Sequence, residues 1–353
     1  MSHSDIFDDS PETSEESQLR RPRAKKKKKM TAGKWVISGL VVLVLLGIAA
    51  IGGYFLYVKS LWDKGSQKIE ASKIFGDNPP PDASKDGKGT NILLLGSDAR
   101  KKDVDYTSAR GFRSDTILIA HIPADNSGIY VMSVPRDSWV DIEGHGKAKI
   151  NAAMSYGGLP LATKTFSDFI GAPIHHVAII DFEGFQGLST ALGGVEVKAE
   201  EAFSSNGSDF EAGMNTVEGK RALDFVRARK NFADGDYTRM RHQQEFLKGV
   251  MRKTLSGNTL SDPGKISNIV KEFSPYVTVD DGLSSDKMVK MGLGMRGLKA
   301  SDMHFFTAPN KGPGRAGKAS IIVVDEKEQK RMQEAYANGE VAQFAETAKN
   351  GSW

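Results

Sequence analysis

The stretch DTILIAHIPADNSGIYVMSVPRD, residues 115–137, decides the fold. Two apolar, β-branched runs, 115–122 and 128–135, flank the turn-forming PADNSG, the pattern of an antiparallel hairpin. The second run closes on Pro135 and is followed by Arg136 and Asp137. Upstream, NILLLG (91–96) is a short buried run closed by glycine that leads into Asp98 and Arg100. Arg113 and Asp115 open the first arm of the hairpin. Three neighbouring strands therefore each carry an acid–arginine pair at one end, where α/β sheets bind ligands.

Outward from this hairpin, strand and helix patterns alternate. Residues 149–171 read as a helix interrupted around Gly157 to Pro160, and HHVAIIDFEGF (175–185) as a strand entering a helix. VEVKAE (195–200) alternates as a half-buried strand. NTVEGKRALDFVR (215–227) has Asn215 at a cap position and Glu218 three residues on, a capping-box-like start. Residues 239–255 form a long helical pattern with Met240, Leu247 and Met251 on its apolar stripe. A helix near 284–297, strands at HFFTAP and SIIVVD, and a helix over 325–348 complete the reading, with NKGPGRAG (310–317) as a mobile loop. The expected architecture is α/β: an α-β-α sandwich with a central mixed sheet between helix layers.

The ends of the chain set its topology. Of 353 residues 39% are hydrophobic and 26% charged, and the net charge of +4 comes mainly from RRPRAKKKKK (20–29). The globular part is therefore near charge balance. The absence of cysteine excludes disulfides, thiolate nucleophiles and cysteine metal sites. Residues 1–34 read as a disordered, basic cytoplasmic tail. WVISGLVVLVLLGIAAIGGYFLYV (35–58) is uncharged, and 24 residues make roughly 36 Å of helix, enough to cross a membrane. A signal peptide has a shorter apolar region, about 7–15 residues. Nine Lys/Arg between Arg20 and Lys34 keep the N-terminus inside and place the rest of the chain outside. The basic run suits the anionic inner leaflet better than a nucleic acid. Residues 59–88 read as a stalk and a breaker-rich linker, and 89–353 as the folded extracellular domain.

A second charged stretch, ALDFVRARKNFADGDYTRMRHQQ (222–244), asks what its arginines hold. Arg227 and Arg229 face one side only if the chain there is extended. Arg239 and Gln243, four apart, share a helix face. The start of that helix offers backbone N–H groups and the positive end of its dipole, with Asp236 as a candidate cap after Asp234. Paired carboxylates hold Mg2+ through oxygen, and arginine forks match phosphate oxygens. A solvated, salt-bridged helix with surface ion pairs explains the same spacing. His175–His176 looks like a metal pair, but neighbours on a strand point to opposite faces, which favours a surface or capping role. No Ser-His-Asp elbow, HExxH or Gly-rich phosphate loop is present.

The set NILLLGSDAR, RSDTI, SVPRD, KINAA, SYGG and ALDFVRAR…DGDYTRMRHQQ, over residues 89–255, resembles the LytR-CpsA-Psr family of bacterial envelope proteins. The resemblance implies an α-β-α sandwich with an apolar pocket for a polyprenyl tail. It implies a phosphotransferase, anchored by one membrane helix in a Gram-positive bacterium with its domain outside. Such an enzyme moves a glycopolymer, as its sugar 1-phosphate, from a polyprenyl diphosphate carrier to peptidoglycan. Teichoic acid, capsule and arabinogalactan are cargoes of the family, and a muramic acid 6-hydroxyl is the implied acceptor. The partners implied are that lipid-linked polymer, peptidoglycan and membrane lipid, with no nucleic acid.

Carried over residue by residue, Asp98 and Asp115 would bind Mg2+, with Mn2+ as a substitute. Arg100, Arg113, Arg136, Arg227, Arg229, Arg239 and Gln243 would hold the diphosphate. The catalytic set would be Arg136, Asp234, Asp236 and Arg239, the aspartates orienting arginines or helping to deprotonate the acceptor. The family usually reads R-x-x-R-Q-Q, and here His242 stands where the second arginine is expected, with Arg241 an added neighbour. The insert KKDVDYTSARGF between Asp98 and Asp115 is also longer. Apolar residues Val177, Ile179, Phe182, Phe185, Leu188, Leu192, Phe225, Phe246 and Val250 are candidates for a lipid channel, against plain core packing. Rival functions are a lipid-diphosphate hydrolase, a glycolipid-binding module and a membrane-bound transcription attenuator.

Overall fold

The computed structural model describes residues 50, 52–76, 79–80, 82–97, 105–108, 114, 116–229, 232 and 235–348. The chain divides into Met1–Gly53, where the described residues 50, 52 and 53 are helical, and Tyr54–Trp353, which contains everything below. No helix among the described residues is long and apolar enough to cross a membrane, and most of the expected span, 35–49 and 51, lies outside them.

A seven-stranded mixed sheet forms the centre. Its strands in chain order are β1 (Gln67–Ile69), β2 (Thr90–Ser97), β3 (Thr116–Ile122), β4 (Ile129–Ser133), β5 (His176–Asp181), β6 (Val277–Asp280) and β7 (Met303–Thr307). They lie in the order β1-β6-β5-β2-β3-β4-β7. β2, β3 and β4 are a meander, antiparallel throughout, and β2 pairs parallel with β5. The hairpin read at 115–137 is therefore two of the central strands. β1, from the segment read as a stalk, pairs parallel with β6 at the sheet edge.

Alternation along the strands sends successive side chains to opposite faces. Leu93, Leu95, Ile117, Ile119, Met132, Val177 and Ile179 pack on one face against helix α1 (Ala152–Ile170) and a C-terminal helical pair, Glu326–Asn338 and Val341–Thr347. Ile92, Leu118, Ala120 and Val131 face the other way, toward Leu247 and Met291. Two-sided burial explains why these strands read as continuous apolar runs, and each fully buried side chain contributes about 1.5–3 kcal/mol. The α-β-α expectation is met. The break expected in α1 is present: Gly157 and Gly158 leave helical geometry, and Gly158 has φ +64°. A Cβ there would press on the Thr107 backbone, which packs across the break.

A second core lies on helices α2 (Phe182–Ala191), α3 (Gly219–Arg227) and α4 (Gly235–Thr254) and the ribbon Val195–Ala199 with Gly213–Val217. Here the capping-box reading fails. Asn215 is in a strand opposite Val197, its side chain bonds Glu211, and α3 starts only at Gly219. β-branched Thr216 and Val217 favour the ribbon over a helix start. The 310–317 segment is not a mobile loop. Asn310–Ala316 pairs with Ala319–Val324 around a tight turn at Gly317 (φ +58°). The C-terminal helix is split by Gly339 in the left-handed conformation.

α4 approaches its neighbouring strand at Gly249, where a Cβ would overlap the Glu196 carbonyl oxygen and the Val195 side chain. Gly249→Ala is expected to destabilise the protein by about 1–3 kcal/mol through overpacking, seen as a lower chemical-denaturation midpoint. An unchanged midpoint would mean that α4 can stand off from this strand.

Candidate active site

The segment after β4 is held rigid by backbone hydrogen bonds on both sides. Ser138 N–H donates to the Pro135 carbonyl (3.0 Å), Asn151 N–H to Arg136 (3.2 Å), Ile150 N–H to Ser138 (2.8 Å) and Ile322 N–H to Asp137 (2.8 Å). These four bonds, one within the turn, two to residues 150–151 and one to Ile322, fix the direction in which Arg136 and Asp137 leave the sheet. Lys149 Nζ lies 2.8 Å from Asp137, whose other oxygen is 3.8 Å from Arg136 Nε.

α4 arrives from the other side. Tyr237 Oη donates to Asn310 Oδ1 (2.8 Å), Gln243 Nε2 to Thr116 Oγ1 (2.8 Å) and Gln244 Nε2 to Ser133 Oγ (2.8 Å). These bonds register the first turns of the helix on β3, β4 and the 310–324 hairpin. Arg136, Asp137, Tyr237, Arg239, Met240 and Gln243 consequently line one cavity together with Ile117 and Val134. Arg239 and Gln243 are 6% and 5% exposed, which takes a guanidinium largely out of water. Charge held in such a place acts more strongly on a bound anion than it would at the surface. The cavity measures about 20 Å3, room for roughly one water. Arg136 and Asp137 also line an adjoining open groove of about 630 Å3.

The buried stripe of α4 is not the one its apolar residues suggested. Arg239, His242, Gln243, Phe246 and Val250 are buried with Met240, while Leu247 and Met251 are half-buried. Of the polar residues on that inner face, Arg239 and Gln243 line the cavity. Arg241 turns away, its Nη2 on Thr238 Oγ1 (2.7 Å) and its Nε 3.2 Å from Glu200. His242 does not reach the cavity. Its imidazole stacks on Phe203 (4.9 Å) and packs against Phe225 (4.4 Å) and Phe232 (5.5 Å) in the second core. A flat ring suits this aromatic box.

Of the other candidates, Arg227 and Arg229 are exposed on either side of buried Ala228, which is extended, so the pair share an outward side as expected. They do not line the cavity, although the Arg229 backbone abuts the start of α4 at Gly235. Asp98, Arg100, Arg113, Asp115 and Asp234 lie outside the described residues. α4 begins at Gly235, which puts Asp236 inside its first turn instead of at the cap, and its side chain is outside the description. Among the described residues no cluster of three or more His, Asp or Glu is arranged to hold a metal. Gly96 and Thr116 face each other across β2 and β3, and Thr116 is the residue that Gln243 bonds.

The lipid-channel set is divided by the sheet. Val177 and Ile179 belong to the core over α1, whereas Phe185, Leu192, Phe225, Phe246 and Val250 fill the second core with Leu188 against them. The Phe182 side chain lies outside the description. The histidine pair is buried, contrary to a surface role. His175 Nδ1 accepts from the Asn91 N–H (2.9 Å), and His176 Nδ1 bonds Asp280 (2.9 Å). The sequence held no signal for the groove at 139–156, because it forms from a hairpin, Trp139–Ile142 with Gly146–Lys149, and the start of α1.

Comparison with known proteins gives one consistent result. The family model LytR_cpsA_psr family matches residues 57–338. A polyisoprenyl-teichoic acid–peptidoglycan teichoic acid transferase TagU of Enterococcus faecalis is 31% identical over 266 residues, covering 74% of this chain and 82% of that one. The probable cell wall biosynthesis protein LcpB of Corynebacterium glutamicum is 33% identical over 264 residues, covering 72% of this chain and 62% of that one. The solved structure of TagT, a B. subtilis protein, bound to LIIa-WTA superimposes with a TM-score of 0.57 at 22% identity, covering 78% of this chain and 97% of that chain.

Proposed function

The chain belongs to the LytR_cpsA_psr family, and from that premise we propose that it transfers a cell-wall glycopolymer, as its sugar 1-phosphate, from a polyprenyl diphosphate carrier to peptidoglycan. The observation that carries this reading is the convergence of Arg136, Arg239 and Gln243 on one cavity at the end of the central hairpin. A diphosphate seats at the mouth of that cavity, where Arg136 is shared with the open groove. Arg239 brings a guanidinium to the cavity wall, and the second amide hydrogen of Gln243 Nε2 lies beside its bond to Thr116.

Phosphoryl transfer needs positioning and charge neutralisation more than covalent help. Arg136 and Arg239 supply fixed charge that cannot be lost by deprotonation. The acceptor is a sugar hydroxyl, with a muramic acid 6-hydroxyl the reading carried from the family. Asp98 and Asp115 would hold Mg2+, which supplies further neutralisation of the diphosphate when bound. Asp234 and Asp236 are assigned to orienting arginines or taking the acceptor proton. Residues 35–58 are assigned as a single membrane anchor with the folded part outside, which places the site where a lipid-linked donor meets the wall.

The test uses the full chain in detergent micelles with a short polyprenyl-diphosphate glycolipid, Mg2+ and soluble peptidoglycan fragments. A phosphodiester-linked product by mass spectrometry, lost on chelation of the metal, is expected. Release of sugar phosphate without linkage would instead identify a hydrolase.

A further inference from the structure

We propose that the groove beside the phosphate cavity is the acceptor site, and that it takes a peptidoglycan glycan strand in two successive compartments divided by Trp139. This rests on the transferase reading and extends it to the second substrate. The compartments adjoin, because Trp139 and Lys147 line both. The first, about 630 Å3, starts at Arg136 and Asp137 and runs to Trp139 and Lys147. The second, about 220 Å3, is lined by the same Trp139 and Lys147 together with Asp141, Asp168 and Glu326. The first lies within the roughly 300–1,000 Å3 of ordinary small-molecule sites. A path in which one open groove leads to another suits an extended polymer better than a compact ligand.

The chemistry of the walls matches a carbohydrate. A pyranose ring has a C–H face that packs on a flat aromatic surface, and a rim of hydroxyls that hydrogen-bonds to polar neighbours. Trp139 offers one such surface between the compartments. Tyr156 offers another: it is 44% exposed and stacks on His145 at 4.5 Å with 16° between the rings, which holds it flat. Asn151 stands in the first compartment beside Lys147 and Lys149 as hydroxyl and carboxylate partners.

Charge separates the two polymers of the reaction. The second compartment carries Asp141, Asp168 and Glu326 with Lys147. Carboxylates of this density repel a polyphosphate or other anionic glycopolymer. A peptidoglycan strand differs in bearing stem peptides with both carboxylates and amino groups, and a mixed wall of lysines and acids complements both. The second compartment thus disfavours an anionic polymer and suits the acceptor strand, while the first, with Arg136, Lys147 and Lys149 against Asp137, is the cationic end where the sugar hydroxyl meets the phosphate.

The experiment takes the full chain in detergent micelles and measures two things. One is binding of a peptidoglycan tetrasaccharide with stem peptides, without donor, by calorimetry. The other is transfer with donor and acceptor varied separately. Trp139→Ala is expected to weaken fragment binding and raise the acceptor KM about tenfold or more, with the donor KM unchanged, while Trp139→Phe keeps most of both. Lys147→Glu, on the hairpin surface, is a second variant with the same expected direction that does not depend on refilling the space of an indole. Unchanged fragment binding and acceptor KM in Trp139→Ala and Lys147→Glu would overturn the proposal, as would a shift in donor KM alone. If fragments bind through Trp139 but no product forms, the groove stands and the transferase reading falls. If product forms with an unaltered acceptor KM in these variants, the reverse holds.

Discussion

Arg239→Ala is expected to lower the transfer rate by about 10²–10³-fold or more, in line with loss of a preorganised charge at a developing anion. The residue enters the cavity from the first turns of α4, is 6% exposed, and sits on a helix registered by three side-chain hydrogen bonds to neighbouring elements. Such a group needs no reorganisation when charge develops, which is why its removal acts on rate. Arg239→Lys retains the charge but not the planar fork, and an intermediate loss is expected. Arg241→Ala is the matched control, because Arg241 lies beside Glu200 and Thr238 away from the cavity. Its effect on rate is expected to be small. Product formation by mass spectrometry, with melting temperature as the check on folding, decides the matter. A rate within a few-fold of wild type for Arg239→Ala would remove the cavity from the mechanism.

The second large effect is on stability as pH falls. His121 and His175 are buried and share Asn91. The His121 Nδ1 bonds Asn91 Oδ1 at 2.7 Å, and the Asn91 backbone N–H donates to His175 Nδ1 at 2.9 Å. Burial, reinforced at His121 by the neighbouring His175, pushes both imidazoles down to about 4; Asp86 opposes the shift at each. Protonating His175 at Nδ1 would also break its bond from Asn91. Tyr336 closes the His121 side, edge-on at 5.5 Å, and brings no charge. Both histidines are neutral in the fold and near 6.5 when unfolded, so the unfolded chain binds more protons between about pH 6.5 and 4. Stability is therefore full above pH 6.5 and falls as pH drops toward 4. At pH 5 the loss is on the order of 2 kcal/mol per histidine. Chemical denaturation at pH 7 and pH 5 measures it directly. His121→Gln is expected to cost stability at pH 7 yet remove about half of the pH dependence. A denaturation midpoint that does not move between pH 7 and pH 5 would show that these imidazoles protonate within the fold.

Local chemistry made much of this readable in advance. The apolar runs at 91–96, 115–122 and 128–135 are central strands because two-sided burial leaves no polar alternation. Val195–Ala199 alternates because one face is open, as its burial shows. Gly157 and Gly158 broke a helical pattern where the structure breaks it. What was misread depends on distant partners. Asn215 resembled a cap until the ribbon partner, Val197, claimed its backbone. His175 and His176 resembled surface residues because Asn91 and Asp280, which bury them, are 84 and 104 positions away. Proline and glycines at 312–314 argued for a loop, but a two-stranded hairpin with an irregular register accepts them. In the site, the motif spacing named Arg136, Arg239 and Gln243. It did not reveal that His242 packs among phenylalanines, since that box is assembled from three separate segments.

The packing at the α1 break has a consequence for the connection between β2 and β3. Leu159 N–H donates to the Tyr106 carbonyl (2.9 Å), and Tyr106 is buried in the main core. Residues 105–108 are therefore moored to α1, and the mooring depends on a position with no side chain, since a Cβ at Gly158 would meet the Thr107 carbonyl. The break in α1 is thus a socket as much as an interruption: the helix gives up its regular geometry at one point and gains a fixed foothold for a distant part of the chain. Fixing one point inside a long connection also lowers the chain entropy lost when its ends are brought together.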